Sequence, residues 1–384
     1  LHDGVPGARG YAANTAFGFQ FPLVSCGATY APKKIWGYAD VAADGSAHFQ
    51  VPAGVPVYFL ALDDEGRAVQ RMRTFTHFQP GEVQSCVGCH ADRNYAAHSR
   101  HETARSTRGQ PQELRAPDWG AKAFSYCEVV QPVLDRHCVE CHHAQDPQGG
   151  IDLAGDRTDF FNVSYEHLAR RGTWGERHPE WHGISAAQEG RNPWTSWIAT
   201  INGTEHNILA TAPRTWGSPA SKLADLVLNG HPDTNGQPRV QLPAADRRRI
   251  LAWIDLNVPY YPTSSSKNLH AMGCRRVFPV DLEAALKQVA ATRCVTCHEQ
   301  GVPRSFYTRI EKPELNSFLL APLARAAGGT QRCGAPVFAS KDDPDYRALL
   351  KTFEPVTAQL RAEPRDDMPV AAATESIPGP NPEL

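Results

Sequence analysis

Three times the chain reads C-x-x-C-H: Cys86, Cys89 and His90; Cys138, Cys141 and His142; Cys294, Cys297 and His298. Two thiols about one helical turn apart can each form a thioether with a vinyl group of one porphyrin, and the adjacent imidazole then lies beneath the iron. Zinc ribbons and redox dithiols also use C-x-x-C pairs. A His following all three pairs by chance has a likelihood on the order of 0.0001, and a random chain of this composition holds ~0.01 such motifs. The spacing therefore predicts three covalently bound haem c groups. Cys86, Cys89, Cys138, Cys141, Cys294 and Cys297 are the attachment residues, with His90, His142 and His298 as proximal iron ligands.

Of ten cysteines, these motifs use six and leave Cys26, Cys127, Cys274 and Cys333. Haem c is attached on the outer side of a bacterial membrane, where thiols oxidise, so one or two disulfides are expected among the four, with no pairing fixed. A periplasmic or extracellular, exported protein follows. The numbering starts at Leu1 without a basic or apolar leader, as in a processed or trimmed chain. A formal charge of -2 gives no broad pull toward nucleic acid. The longest apolar runs, such as Val55 to Leu62, fall short of the ~18 to 20 residues of a transmembrane segment. Thirty arginines against nine lysines fit the gripping of carboxylates such as haem propionates, and a GC-rich composition explains them equally well.

A length of 384 residues allows two to three domains at about 150 residues each. The expected fold is mainly α with much irregular structure, as in cytochrome c-like haem domains, plus a small N-terminal β-sandwich-like module. Residues 1–80 form that module, with Val55 to Leu62 and Arg67 to Phe75 flanking an Asp63–Gly66 turn. Residues 81–119 hold the first motif and an irregular, Arg-rich connector broken by Gly109, Pro111 and Pro117. Residues 120–270 carry the second motif at the end of a short helix begun by Pro132, with an insertion from Gly150 to Trp216. Residues 271–384 carry the third motif after a helix capped by Asp281. Further helices are predicted from Ser218 and Pro219 to a Gly230 stop, over Ala244 to Leu256, and from Asp343 and Pro344.

With these residues placed, the chain resembles the haem-bearing half of hydrazine synthase alpha-subunit-like proteins, a planctomycete-type family of exported multihaem c-type cytochromes. The resemblance rests on ADGSAHFQVPAGVPVYFLALDDEGRAVQRMRTFTHFQPGEVQSCVGCH, VQPVLDRHCVECH, WIDLNVPYY and APLARAAGGTQRCGAPVFASKDDPDY, between residues 38 and 370. Members usually carry a long N-terminal propeller-like region that these residues lack, and commonly a Gly where this chain has His143. The resemblance implies the fold and haem content more than hydrazine chemistry.

The sixth ligand decides whether a haem moves electrons or meets substrate. His231 is the candidate at the second haem, because the Gly230 stop presents it at a helix end. The resemblance also places a distal His in a matching Gly-His pair. Met368, in a Met-Pro loop, and His270 compete at the third. At the first, His77 and Met72 precede the motif and His98 or His101 follow it, and the resemblance adds Tyr95. His143 follows His142 directly and, on a helix, points about 100° away, toward a neighbouring haem or another subunit. The expected function is a triheme c-type cytochrome with low-spin haems, transferring electrons between redox partner proteins, as a homo-oligomer or filament in one version. The alternative is a multihaem oxidoreductase acting on small nitrogen compounds, as the family resemblance implies.

Overall fold

The computed structural model describes residues 22–26, 29, 31–72, 74–86, 104–170, 197–200, 212–266, 271–298, 302 and 307–365. Strands β1 (Leu60–Leu62) and β2 (Ala68–Arg71) pair antiparallel around the acidic turn. Asp63 closes that turn itself, accepting from the Glu65 and Arg67 amides. Isolated bridges tie residues 34–49 to 112–123 through Lys34 with Ala123, Tyr38 with Arg115 and Phe49 with Gln112. The described N-terminal residues thus pair locally in one hairpin and reach the connector through single rungs.

Helix α1 (Tyr126–Val129) is capped by Ser125, which accepts from the Glu128 amide. Helix α2 (Gln131–His137) follows, with Pro132 in its first turn as its fixed φ favours. Short strands β3 (His142–His143) and β4 (Asp146–Pro147) pair just after the second motif. Residues 151–169 of the insertion are largely core: Asn162 caps α3 (Val163–Tyr165), which runs into a wide turn at Glu166–Arg170.

Helix α4 (Lys222–Leu228) begins after Ser221, later than the Ser218–Pro219 signal predicts. The reason is Asp255, whose carboxylate accepts both the Ser218 amide (2.7 Å) and hydroxyl (2.8 Å), so Ser218 serves that buried acid instead of starting the helix. Helix α5 (Ala244–Asp255) turns Ile250, Leu251, Trp253 and Ile254 inward. They meet Tyr126, Phe161, Tyr165 and Tyr260, whose rings pack at 4.8–5.2 Å for the Tyr126–Tyr165, Tyr165–Tyr260 and Phe161–Tyr260 pairs. Such edge-on and tilted aromatic packing adds to the area it buries.

A second core belongs to the C-terminal part. Helix α6 (Leu282–Val289) buries Leu282, Leu286 and Val289 against Phe318 and Leu319 of α7 (Ser317–Leu320) and Tyr346 and Leu349 of α8 (Pro344–Lys351). Asp343 caps α8 through the Asp345 and Tyr346 amides, and α9 (Glu354–Ala362) follows. The two cores are joined by Arg309, whose guanidinium pairs with Asp152 and, at 2.7 Å, with Asp156; all three side chains are nearly dry. Among the described residues no helix is long and apolar enough to cross a membrane.

Candidate functional site

The second and third motifs adopt the same backbone turn. The Cys141 and His142 amides both donate to the Cys138 carbonyl (3.2 and 3.1 Å), and the Cys297 and His298 amides both donate to the Cys294 carbonyl (3.1 and 2.9 Å). Each turn therefore holds its two cysteines and its histidine on one tight stretch of backbone. Of the first motif, Cys86 is described and exposed, while Cys89 and His90 lie outside the described residues.

Helix α2 delivers the second motif and is held to α5 by Asp246, which accepts from Arg136 (2.8 Å) and pairs with His137 Nε2 (2.9 Å). Burial raises the Asp246 carboxyl, and the His137 and Arg136 hydrogen bonds outweigh it, leaving the group below its ordinary value. Burial pushes the Cys138 thiol up to about 11.

His142 Nδ1 lies 3.2 Å from the Ile151 carbonyl. A carbonyl only accepts, so Nδ1 carries the proton and Nε2 keeps its lone pair for a metal. The His142 carbonyl in turn accepts from the Leu153 amide (2.9 Å), so ring and backbone are held by one short segment.

His231 arrives from the far side. Gly230 (φ 74) and His231 (φ 49) are both left-handed, and the His231 amide donates to the Leu226 carbonyl at 2.8 Å, the helix-ending closure that a glycine makes possible. The two imidazoles then stand 6.1 Å apart, centroid to centroid, with ring planes at 71°. Two imidazoles on opposite sides of one metal at the ~2.0–2.1 Å length of His ligation, with ring centres roughly 1.1 Å beyond each nitrogen, have centroids about 6.2–6.4 Å apart. Burial first, then Arg239 and His142, hold His231 below the ordinary imidazole value, so its ring is neutral and able to ligate. Among the described residues no three His, Cys, Asp or Glu side chains converge on a metal.

His143 departs from the sequence expectation. It sits in strand β3, paired with Asp146, so its side chain points to the face opposite His142 rather than about 100° around a helix. Its Nδ1 meets Gln145 Oε1 at 3.2 Å, within its own loop. His77 is exposed and packs edge-on against Phe75 at 5.3 Å. Met368 and His270, like Tyr95, His98 and His101, lie outside the described residues.

At the third motif Arg293, just before Cys294, is gripped by Asp343 (2.9 Å) and Asp345 (2.8 Å) of the α8 cap. Cys333 is an exposed thiol whose neighbourhood includes Cys297 and Cys294; burial first, then these sulfurs, raise the Cys333 and Cys294 thiols. Sequence reasoning missed Ile151, whose carbonyl meets His142, and Asp152, His167 and Tyr307, which follow it in a line of contacts. The one local signal there was Asn162 as a helix cap.

Residues 9–91 match the family described as hydrazine synthase alpha subunit middle domain. A curated relative, hydrazine synthase subunit alpha of Kuenenia stuttgartiensis, is 24% identical over 197 residues, 37% of this chain and 24% of its own length. A solved structure of Kuenenia stuttgartiensis hydrazine synthase is similar at 18% identity and a TM-score of 0.34, over 60% of this chain and 34% of that one. The chain thus spans about a quarter to a third of the proteins it matches. These matches bear out the resemblance to hydrazine synthase alpha-subunit-like proteins read from the sequence.

Proposed function

Since the chain is hydrazine synthase alpha-subunit-like over its N-terminal part, we propose that it is the haem-bearing portion of an exported multihaem oxidoreductase acting on small nitrogen compounds. In this reading three haem c groups are held by the three C-x-x-C-H motifs, and haem supplies a one-electron iron couple. The relative's name as a synthase subunit supports protein partners for this chain as well.

The observation that carries haem binding is the His142–His231 pair. His142 binds from the motif turn with its Nδ1 proton given to Ile151, and His231 binds from the α4 stop. In this reading His142 and His231 would hold the second haem between them, and a haem so held would supply a one-electron couple closed to substrate. Cys138 and Cys141 fix its edge, and Asp246 fixes the helix that bears them. Substrate chemistry then belongs to the first or third haem.

The same pair favours a second reading, a triheme electron carrier working with redox partners. One experiment separates the two. The protein is produced with c-type haem maturation, its mass is measured, and its haem bands are followed after mixing with hydrazine or ammonium. Three added haem masses and altered bands support the oxidoreductase. Three haems with unaltered bands overturn it in favour of the carrier. A bare polypeptide overturns both.

A further inference from the structure

The hydrogen bond from His142 does not end at Ile151. The same peptide unit carries the Asp152 amide, which donates to His167 Nδ1 across 3.5 Å. An amide only donates, so Nδ1 is the acceptor and the neutral ring bears its proton on Nε2, 2.9 Å from the Tyr307 hydroxyl. One chain of contacts therefore runs His142, the Ile151–Asp152 peptide, His167, Tyr307.

Both outer members are fixed. His167 is 8% exposed, set by the Glu166–Arg170 turn, and meets the Tyr307 ring edge-on at 5.6 Å. Arg309 clamps Asp152, whose other oxygen accepts the Ala154 amide at 3.0 Å, so the peptide cannot swing away. Tyr307 stays protonated: burial first, with Asp152, Glu166 and Asp156 adding to it against Arg309, pushes its hydroxyl far up.

We infer that His167 and Tyr307 are positioning residues for His142, acting through the Ile151–Asp152 peptide on how strongly that imidazole donates to iron. The inference rests on His142 being an axial ligand of the second haem. An amide that donates to nitrogen polarises its peptide and makes the carbonyl a better acceptor. The His142 Nδ1–H bond to that carbonyl strengthens, the ring gains imidazolate character, and the ferric state is favoured. Losing the His167 acceptor therefore favours ferrous iron.

The test is a potentiometric titration of the haem-loaded protein, reading the second haem. In His167→Leu the ferrous-to-ferric ratio at the wild-type midpoint rises about two- to threefold, about 18–28 mV at 59 mV per decade. His167→Gln, whose side-chain oxygen accepts the Asp152 amide, restores the wild-type ratio. Tyr307→Phe shifts in the same direction by less, and it keeps the test open should His167→Leu fail to fold. The third haem's midpoint stays in place throughout. An unchanged second-haem midpoint in His167→Leu and Tyr307→Phe, with that haem attached and six-coordinate, overturns the inference alone. Absence of haem mass on the peptide bearing Cys138 and Cys141 overturns the ligation reading and the inference with it.

Discussion

The rings of His142 and His231 stand edge-on to each other at 6.1 Å although one follows a motif turn and the other ends a separate helix. Nothing local links them. Helices α2 and α5 hold the first through Asp246, and the loop back to Gly230, where the Arg239 and Val240 amides donate to the Gly230 carbonyl, holds the second.

On the proposed haem ligation, removing one ring should open one face of one haem. In His231→Ala the second haem becomes five-coordinate, and the reduced protein binds carbon monoxide with one more haem equivalent than wild type. Optical titration checks this. Unchanged uptake counts against His231 as a ligand.

Gly230→Ala should act on the same ligand without touching it. A Cβ at Gly230 would stand 2.7 Å from Pro238 Cβ and 2.8 Å from the Val240 carbonyl oxygen, at a φ of 74. The left-handed conformation alone costs an L residue roughly 1–2 kcal/mol, and the backbone clash adds to it. Urea unfolding should show at least that loss, together with a smaller low-spin fraction.

Asp255 should give a pH signature of stability. Burial, opposed by bonds from Ser218 and Ala68, raises its carboxyl to about 6. An acid whose folded value lies above the unfolded ~3.9 stabilises the fold fully below the unfolded value and loses that contribution as pH rises through the folded one. The unfolding free energy should therefore fall between pH 4 and 6, by about 2–3 kcal/mol at 1.36 kcal/mol per unit. Asp255→Asn should flatten that slope, as chemical denaturation across pH would show.

Arg309→Met should leave Asp152 and Asp156 buried without their cation. Breaking one side of such a pair costs about 3–5 kcal/mol. Calorimetry should show a lowered melting temperature, and a change under 1 kcal/mol would mean the pair contributes little.

Asp343→Ala removes the α8 cap and one grip on Arg293. The cap alone is worth about 0.5–2 kcal/mol. Hydrogen exchange should show faster opening of the third motif turn, while the second turn is unchanged.

What could be read beforehand was local. Pro132, Asp343 with Pro344, and Gly230 each carry a backbone constraint that acts within one turn, and the helices begin or stop there. Ala244 to Asp255 is legible from its apolar spacing. Ser218 misled because its amide and hydroxyl go to Asp255 on another helix. His143 misled because β3 pairs with β4 and stops the motif turn from continuing as a helix. His167 was invisible because its partners, Asp152 and Tyr307, meet it only through packing of the insertion against the C-terminal part. The place of His231 just past a helix end was legible because a glycine that halts a helix also fixes where the next residue goes.

Arg293 draws the third motif turn to Asp343 and Asp345, whereas the helix that bears the second turn is held by Asp246, before the third motif. For a polypeptide threaded through a membrane amino end first, the two turns mature at different moments. The earlier one can settle while the tail is still in transit. The later one must wait for nearly the whole length to emerge, so a stalled or truncated chain would have the second turn braced and the third without its Asp343 and Asp345 partners.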